Sequence, residues 1–136
     1  MSRDAIIEQL KAHFARSPDR LIAAYLFGSV ARGQHRTASD VDVGIVEGRR
    51  GPLTLAGVDR VARLADELTR LLGKEVDVVP LDAAPPDFLH RVLVDRVLLL
   101  DGDHEQRIEF EIRARNEYFD IAPHLEQYRR TVISRA

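Results

Sequence analysis

Cysteine is absent from the 136-residue chain. That excludes disulfides, a thiol nucleophile and a zinc–thiolate site, and makes the cytoplasm the simplest compartment. Lysine is nearly absent as well, with only Lys11 and Lys74 present. Basic residues total 20 against 22 acidic ones, a formal net charge of −2. A surface built to hold nucleic acid carries a basic excess; this chain has none, so no direct nucleic-acid binding is expected. Long apolar runs are missing too. Stretches such as Leu21 to Phe27 and Val97 to Leu100 are far too short to cross about 30 Å of hydrocarbon, so no membrane insertion is expected. The N-terminal segment carries charges among its apolar positions and lacks a secretory hydrophobic region. Neither an internal repeat nor a low-complexity tract occurs.

What is present is the composition of a folded protein: 45% hydrophobic and 31% charged residues. A chain of this length buries roughly two-thirds of its unfolded surface, enough for a core of its own. One domain over residues 1–136 is expected, with 103–136 a C-terminal helical extension that packs on it or on a partner. Ile6, Ile7, Leu10 and Phe14 recur at helical spacing within residues 4–16, and Ser17-Pro18-Asp19 ends that helix. Leu21 to Phe27 fits a buried strand. Asp40 to Val46 alternates, with Val41, Val43 and Ile45 on one sheet face and Asp40, Asp42 and Gly44 on the other. Leu55 to Leu72 is a helix closed by Gly73. Glu75 to Leu81 and Arg96 to Leu100 are two further strands, with a helix after Pro85-Pro86 between them. From Asp103 onward the chain is helical and charged, with a break expected at Pro123. The fold class is therefore α/β (α+β), a small mixed sheet flanked by helices.

Chemistry concentrates in the stretch YLFGSVARGQHRTASDVDVGIV. Gly28-Ser29 ends a strand and opens a short helical turn. Backbone N–H groups at such a junction favour an anion, and glycine lets a phosphate approach closely. Ser29 adds a hydroxyl donor. Ten residues later Asp40 and Asp42 project from one face of the next strand, a pair suited to a hard divalent cation. Asp77 lies between valines in EVDVVP, where an unpaired carboxylate is costly to desolvate. If its strand neighbours Asp40 to Val46, three aspartates converge. Their mutual repulsion is relieved by a bound Mg²⁺. An anion cradle beside a carboxylate cluster describes nucleotidyl transfer, with the cradle on the outer phosphates of a nucleoside triphosphate. Asp77 completes the metal site and can accept the proton of the incoming hydroxyl.

Each element also has a plainer account. A Gly-Ser pair after a strand is usually a turn, and Asp77 on an edge strand is simply solvated. His35 reads as a solvated loop residue. Arg32, one turn beyond Gly-Ser, either assists a phosphate or caps the turn, and Ser39 caps the loop. It is the combination that argues for function.

The spacing GSX10DXD, here Gly28-Ser29 with Asp40 and Asp42, resembles the signature of the polymerase-beta-type nucleotidyltransferase superfamily. Within it the chain looks like the minimal nucleotidyltransferase group, specifically MntA-like antitoxins. LFGSVARG and SDVDVGIV match, EVDVV stands in the place of the third-carboxylate strand, and EFEIRARNEYFDIAPHLEQYRR is similar to the group's C-terminal helices. The resemblance implies a small mixed sheet flanked by helices, and Mg²⁺ with ATP as co-substrate. It places Asp40, Asp42 and Asp77 at the catalytic metal positions; from the residues themselves, Gly28, Ser29 and Arg32 are expected at the nucleotide. It further implies a cognate HEPN-domain ribonuclease toxin as partner, neutralised by transfer of AMP to one of its tyrosines.

Three functions compete. The first is such an antitoxin, acting as a protein adenylyltransferase. The second is a small-molecule, aminoglycoside-like nucleotidyltransferase, whose relatives usually carry an extra helical domain for the acceptor. The third is an antitoxin that is catalytically silent and works by binding alone. Template-directed polymerisation is disfavoured by the missing basic excess and length.

Overall fold

The computed structural model describes residues 1–36, 39–49 and 53–135. Helix α1 spans Arg3–Arg16, where the Ser2 side chain accepts a hydrogen bond from the Ala5 N–H and so satisfies one of the free donors of the first turn. Its buried face is Ile6, Ile7, Leu10 and Phe14, the set that the spacing predicts. Strand β1 (Ala23–Phe27) runs directly into a one-turn helix, α2 (Gly28–Ala31), and strand β2 is Val41–Val46. Helix α3 (Leu55–Leu72) is capped by Thr54 and closed by Gly73 at φ 65°, a left-handed conformation that glycine adopts without a Cβ clash. Strand β3 (Val76–Pro80), helix α4 (Pro86–Asp95), strand β4 (Val97–Asp101) and helix α5 (His104–Arg135) complete the order.

The sheet order is β3-β2-β1-β4. Strand β1 lies antiparallel to both β2 and β4, whereas β2 and β3 are parallel. The parallel pair follows from α3, since parallel strands need a long crossover to return the chain to the same end of the sheet. Each face of this mixed sheet is covered. On one, Ala24, Leu26, Val41, Val43 and Ile45 pack with residues of α1 and α3. On the other, Ala23, Tyr25 and Val46 pack with Leu89 and Val92 of α4 and with Phe110 and Ala114 of α5. Among the described residues no helix is long and apolar enough to cross a membrane.

Two boundaries differ from expectation. Strand β1 begins at Ala23 rather than Leu21. Ile22 still donates its N–H to the Val46 carbonyl at 2.8 Å, but its own carbonyl accepts from Gly102 and Asp103 in the turn before α5, outside a regular ladder. The break at Pro123 does not occur, because α5 runs unbroken past it. Proline removes the hydrogen bond to the carbonyl four residues back, that of Phe119. Pro123 and Phe119 are both exposed, so water can satisfy that carbonyl and the helix tolerates the loss.

Tyr25 fastens α5 to the sheet. Its ring is fully buried, and its hydroxyl donates to Glu111 Oε2 at 2.8 Å. Glu111 is also held by Arg107 and by Arg96, the latter at 3.2 Å. Burial first, and then the Glu111 carboxylate, push the Tyr25 phenol far above its ordinary range, so it stays a donor at any physiological pH. Removing the hydroxyl leaves Glu111 with two guanidinium partners, and Tyr25→Phe is expected to cost about 1 kcal/mol. Glu111→Ala leaves the buried phenol without its acceptor and removes the ion pairs to Arg96 and Arg107, although Arg107 keeps Asp101, and is expected to cost about 2–3 kcal/mol. Urea denaturation of the two variants measures the difference; equal losses would show that Glu111 is not the hub.

Candidate active site

The C-terminal end of β1 and the N-terminal ends of β2 and β3 meet at one edge of the sheet. In the register, Phe27 stands opposite Asp42 and Asp42 opposite Asp77. Residues paired in register share a sheet face, so the Asp42 and Asp77 carboxylates project to the same side. This is the face that α4 and α5 cover farther along. Asp40, just before β2, is exposed, Asp42 is half-buried and Asp77 is exposed.

Asp77 follows the plainer of its two accounts: it faces solvent because β3 is an edge strand of the sheet, and its flanking valines do not bury it. Val76 turns the other way, into the core with α3. The half-buried member is Asp42. Burial chiefly, then the charges of Asp77 and Asp40, raise its carboxyl above the usual range, while Arg32 opposes them. Among the described residues no three His, Asp or Glu side chains form a closed metal-ligand set. The convergence is therefore looser than the sequence suggests: an adjacent pair, Asp42 and Asp77, with Asp40 in electrostatic reach. That donor set nonetheless fits Mg²⁺, which commonly takes one or two carboxylates and fills its remaining positions with water and substrate phosphate oxygens.

Gly28 sits directly against this pair. Its φ is +78°, and a Cβ there would overlap Asp42 Oδ2. Only glycine meets both demands, the left-handed backbone and the space beside the carboxylate. Ser29 is half-buried, and its carbonyl accepts the Gln34 N–H at 2.9 Å, which folds the following loop back over α2. Arg32 caps the turn through its backbone N–H to the Gly28 carbonyl at 3.1 Å. Its side chain is committed elsewhere: Nη1 lies 2.6 Å from Asp95 Oδ2 at the end of α4, and Nε donates to Gln34 Oε1 at 3.1 Å. His35 is half-buried rather than solvated, and its Nδ1 is enclosed without a hydrogen-bond partner among the described residues. Ser39 accepts from the Arg36 N–H at 2.8 Å, the loop-capping role assigned to it.

An open cleft of about 560 Å³ adjoins the carboxylates, its wall formed by Phe27, Leu53, Val58 and Phe88 together with Asp42 and Asp77. Phe27 and Phe88 meet edge-to-face, with centroids 5.8 Å apart. Sequence reasoning missed this wall and the Asp95 partner of Arg32. Leu53, Val58, Phe88 and Asp95 lie on three separate segments, and no local pattern links them to Gly-Ser. An apolar wall beside a few convergent polar groups is the usual form of a small-ligand or acceptor site.

Comparison with known proteins identifies related chains. The family model for polymerase beta, nucleotidyltransferase, matches residues 8–105. Over 75 residues the chain is 39% identical to a Methanocaldococcus jannaschii protein named as a protein adenylyltransferase, a match spanning 55% of this chain and 70% of that one. Among solved structures, a chain of a toxin–antitoxin complex with AMP-PNP superposes with a TM-score of 0.65 at 24% identity, covering 98% of this chain and 97% of that one. A chain of the Shewanella oneidensis complex between a tri-AMPylated HEPN toxin and its MNT antitoxin gives 0.58 at 23% identity, covering 97% and 92%. At these identities the two structural matches are likenesses of fold.

The carboxylate repulsion has a thermodynamic sign. An acid whose pKa is higher in the folded state than in the unfolded chain stabilises the fold below its unfolded pKa, about 3.9 for aspartate, and that contribution is lost as pH rises through the folded value. Once ionised above that raised value, the Asp42 carboxylate therefore opposes folding. Asp42→Asn is expected to melt higher than the wild type at pH 7 without divalent cation, with the gap closing towards pH 4. Millimolar Mg²⁺ is expected to raise the wild-type melting temperature and leave the variant nearly unmoved. Differential scanning fluorimetry reads both, and a variant less stable at pH 7 would contradict the repulsion.

Proposed function

The chain belongs to the polymerase beta nucleotidyltransferase family, and on that premise we propose that it is an antitoxin that works as a protein adenylyltransferase, transferring AMP from ATP with Mg²⁺ to a tyrosine hydroxyl of a cognate HEPN ribonuclease toxin. The in-register pair Asp42 and Asp77, with the Asp42 carboxylate packed against Gly28, carries this assignment. The name of the M. jannaschii relative supports the transfer to protein. The shared fold with chains of toxin–antitoxin complexes, one with AMP-PNP and one with an AMPylated HEPN toxin, supports the nucleotide and the partner.

In the transfer, the acceptor oxygen attacks the α-phosphorus of ATP. One O–P bond forms, the bond between the α-phosphorus and its bridging oxygen breaks, and pyrophosphate leaves. Gly28 and Ser29 hold the outer phosphates at the turn from β1 into α2, where the missing Cβ lets the backbone pass against the Asp42 carboxylate. Asp42 and Asp77 would hold Mg²⁺, with Asp40 in electrostatic reach, and the ion would supply neutralisation of charge on the phosphate oxygens. Asp77, the most open to the cleft, takes the hydroxyl proton. The wall of Phe27, Leu53, Val58 and Phe88 receives the apolar body of the acceptor side chain. Arg32, braced by Asp95, contributes positive potential at the phosphates.

The test combines the chain with ATP, Mg²⁺ and a cognate HEPN toxin. A mass gain of one or more adenylyl groups on a toxin tyrosine, with loss of ribonuclease activity, is the expected result. Asp40→Asn and Asp42→Asn are each expected to slow transfer at least about 100-fold, since each removes charge that acts on the developing transition state. Neutralisation that survives both substitutions undiminished would show that contact alone silences the toxin. Labelled AMP appearing on a small hydroxyl compound and never on the toxin would move the acceptor to another class.

A further inference from the structure

The cleft beside the carboxylates wraps around the free edge of β3. Residues 75–79 line it in unbroken sequence, with Val61, Ala62 and Ala65 of α3 at one side and Phe88 of α4 at the other. In a parallel pair, alternate residues of a strand turn their backbone groups towards the neighbour. The Val41 N–H donates to the Glu75 carbonyl at 3.0 Å, and the Leu81 N–H to the Ile45 carbonyl at 2.8 Å. With Val41 opposite Val76 and Asp42 opposite Asp77, the odd-numbered residues of β3 bond to β2. Val76, Val78 and Pro80 therefore turn their backbone outward, which is where an edge strand accommodates proline.

Two of these three offer no donor. The Val76 N–H donates to Thr69 Oγ1 at 3.1 Å, and proline has no N–H. Among the described residues of β3, Val78 alone keeps both its N–H and its carbonyl free on the outer side, with the Val76 and Pro80 carbonyls flanking it. Such an edge pairs with another backbone in extended form. The pleat then dictates the side chains of an antiparallel occupant. The residue paired with Val78 shares its face, the α3 side, where Ala62 and Ala65 favour an apolar side chain. The next residue stands opposite Asp77 as a non-hydrogen-bonded pair, with Cα atoms about 4.5 Å apart. It extends the row that runs from Phe27 through Asp42 to Asp77. Two residues further on, the occupant passes Glu75, which is exposed and lies outside the carboxylate set. The charged side chains lining the cleft, Asp42, Glu75 and Asp77, are all acidic, so charge complementarity selects a basic residue there.

We propose that the β3 edge is the seat of the acceptor. An extended segment of the partner protein adds to it antiparallel, pairs its backbone with Val78 and sets the tyrosine opposite Asp77, one position after an apolar residue and two before a basic one. This rests on the reading of the chain as a protein adenylyltransferase. The pairing itself needs neither ATP nor Mg²⁺, so the two fail separately.

The probe is a synthetic peptide, acetyl-Thr-Thr-Val-Tyr-Thr-Arg-Thr-amide, added to the full chain. In the free protein the Val78 amide is expected to exchange with solvent faster than those of Asp77 and Val79, as read by nuclear magnetic resonance. The peptide, without ATP, is expected to slow that exchange at least about tenfold. N-methylation of the peptide valine removes the N–H that reaches the Val78 carbonyl, and is expected to lower protection and AMP transfer at least about tenfold. N-methylation of the peptide tyrosine, whose N–H points away, is expected to change transfer less than about threefold. Val78→Pro deletes an outward N–H that an edge strand can spare. It is expected to cut transfer to the peptide and to leave transfer to N-acetyltyrosinamide, too short to pair, unchanged. Glu75→Lys is expected to reverse the preference, favouring the peptide with Glu in place of Arg. Val78 exchange untouched by the peptide, equal losses from the two N-methylations, or a Val78→Pro variant that modifies the peptide normally would each overturn the seat. Protection of Val78 with no transfer to any tyrosine would uphold the seat and overturn the transfer reading instead.

Discussion

The parallel pairing of β2 with β3 sets Asp42 beside Asp77, and most of what matters in this molecule follows from that register. A slip of one residue would turn one of the two carboxylates to the opposite face, among the valines that pack on α1 and α3. The slip is prevented because Val41, Val43 and Val76 are each buried on that opposite face. The apolar alternation thus holds two like charges next to each other. Burial of one and proximity of both raise the free energy of the site. Stability is given up locally for a poised site, and the core built by the same strands makes it tolerable.

Gly28 belongs to the same constraint. The turn from β1 into α2 has to pass against the Asp42 carboxylate, and only a residue with neither a Cβ nor a penalty for positive φ can occupy it. Arg32 then ties α2 to the end of α4 through Asp95, so the turn is held from both sides. Farther along the same sheet face, Tyr25, Glu111 and two arginines lock α5 onto the sheet. These two polar connections hold the helical layer against a sheet whose exposed end carries the chemistry.

Much of this was legible in the residues. Alternation in β2 assigned its faces correctly, and the spacing of α1 named its buried residues. Gly-Ser followed by two alternating aspartates marked the chemistry, because carboxylates cannot be placed at strand spacing on one face without some compensation. Legibility failed where the partner lay far off in sequence. The solvent exposure of Asp77 depends on β3 being an edge strand, which is a property of sheet order. The commitment of Arg32 to Asp95, the half-burial of His35 and the apolar wall of the cleft are likewise invisible in any local window. Pro123 misled for a related reason: its cost depends on whether water can reach the orphaned carbonyl.

By itself, then, the sequence determined the element types, the two faces of β2, and the identity of the carboxylates and the glycine, since all of these follow from periodicity and backbone sterics. The tertiary structure alone decided which carboxylate is half-buried and which is open, how closely the set converges, and where the long C-terminal helix ceases to be covered. Those outcomes are set by burial and by distance between segments, and a carboxylate acquires its electrostatic character only from what the fold brings beside it.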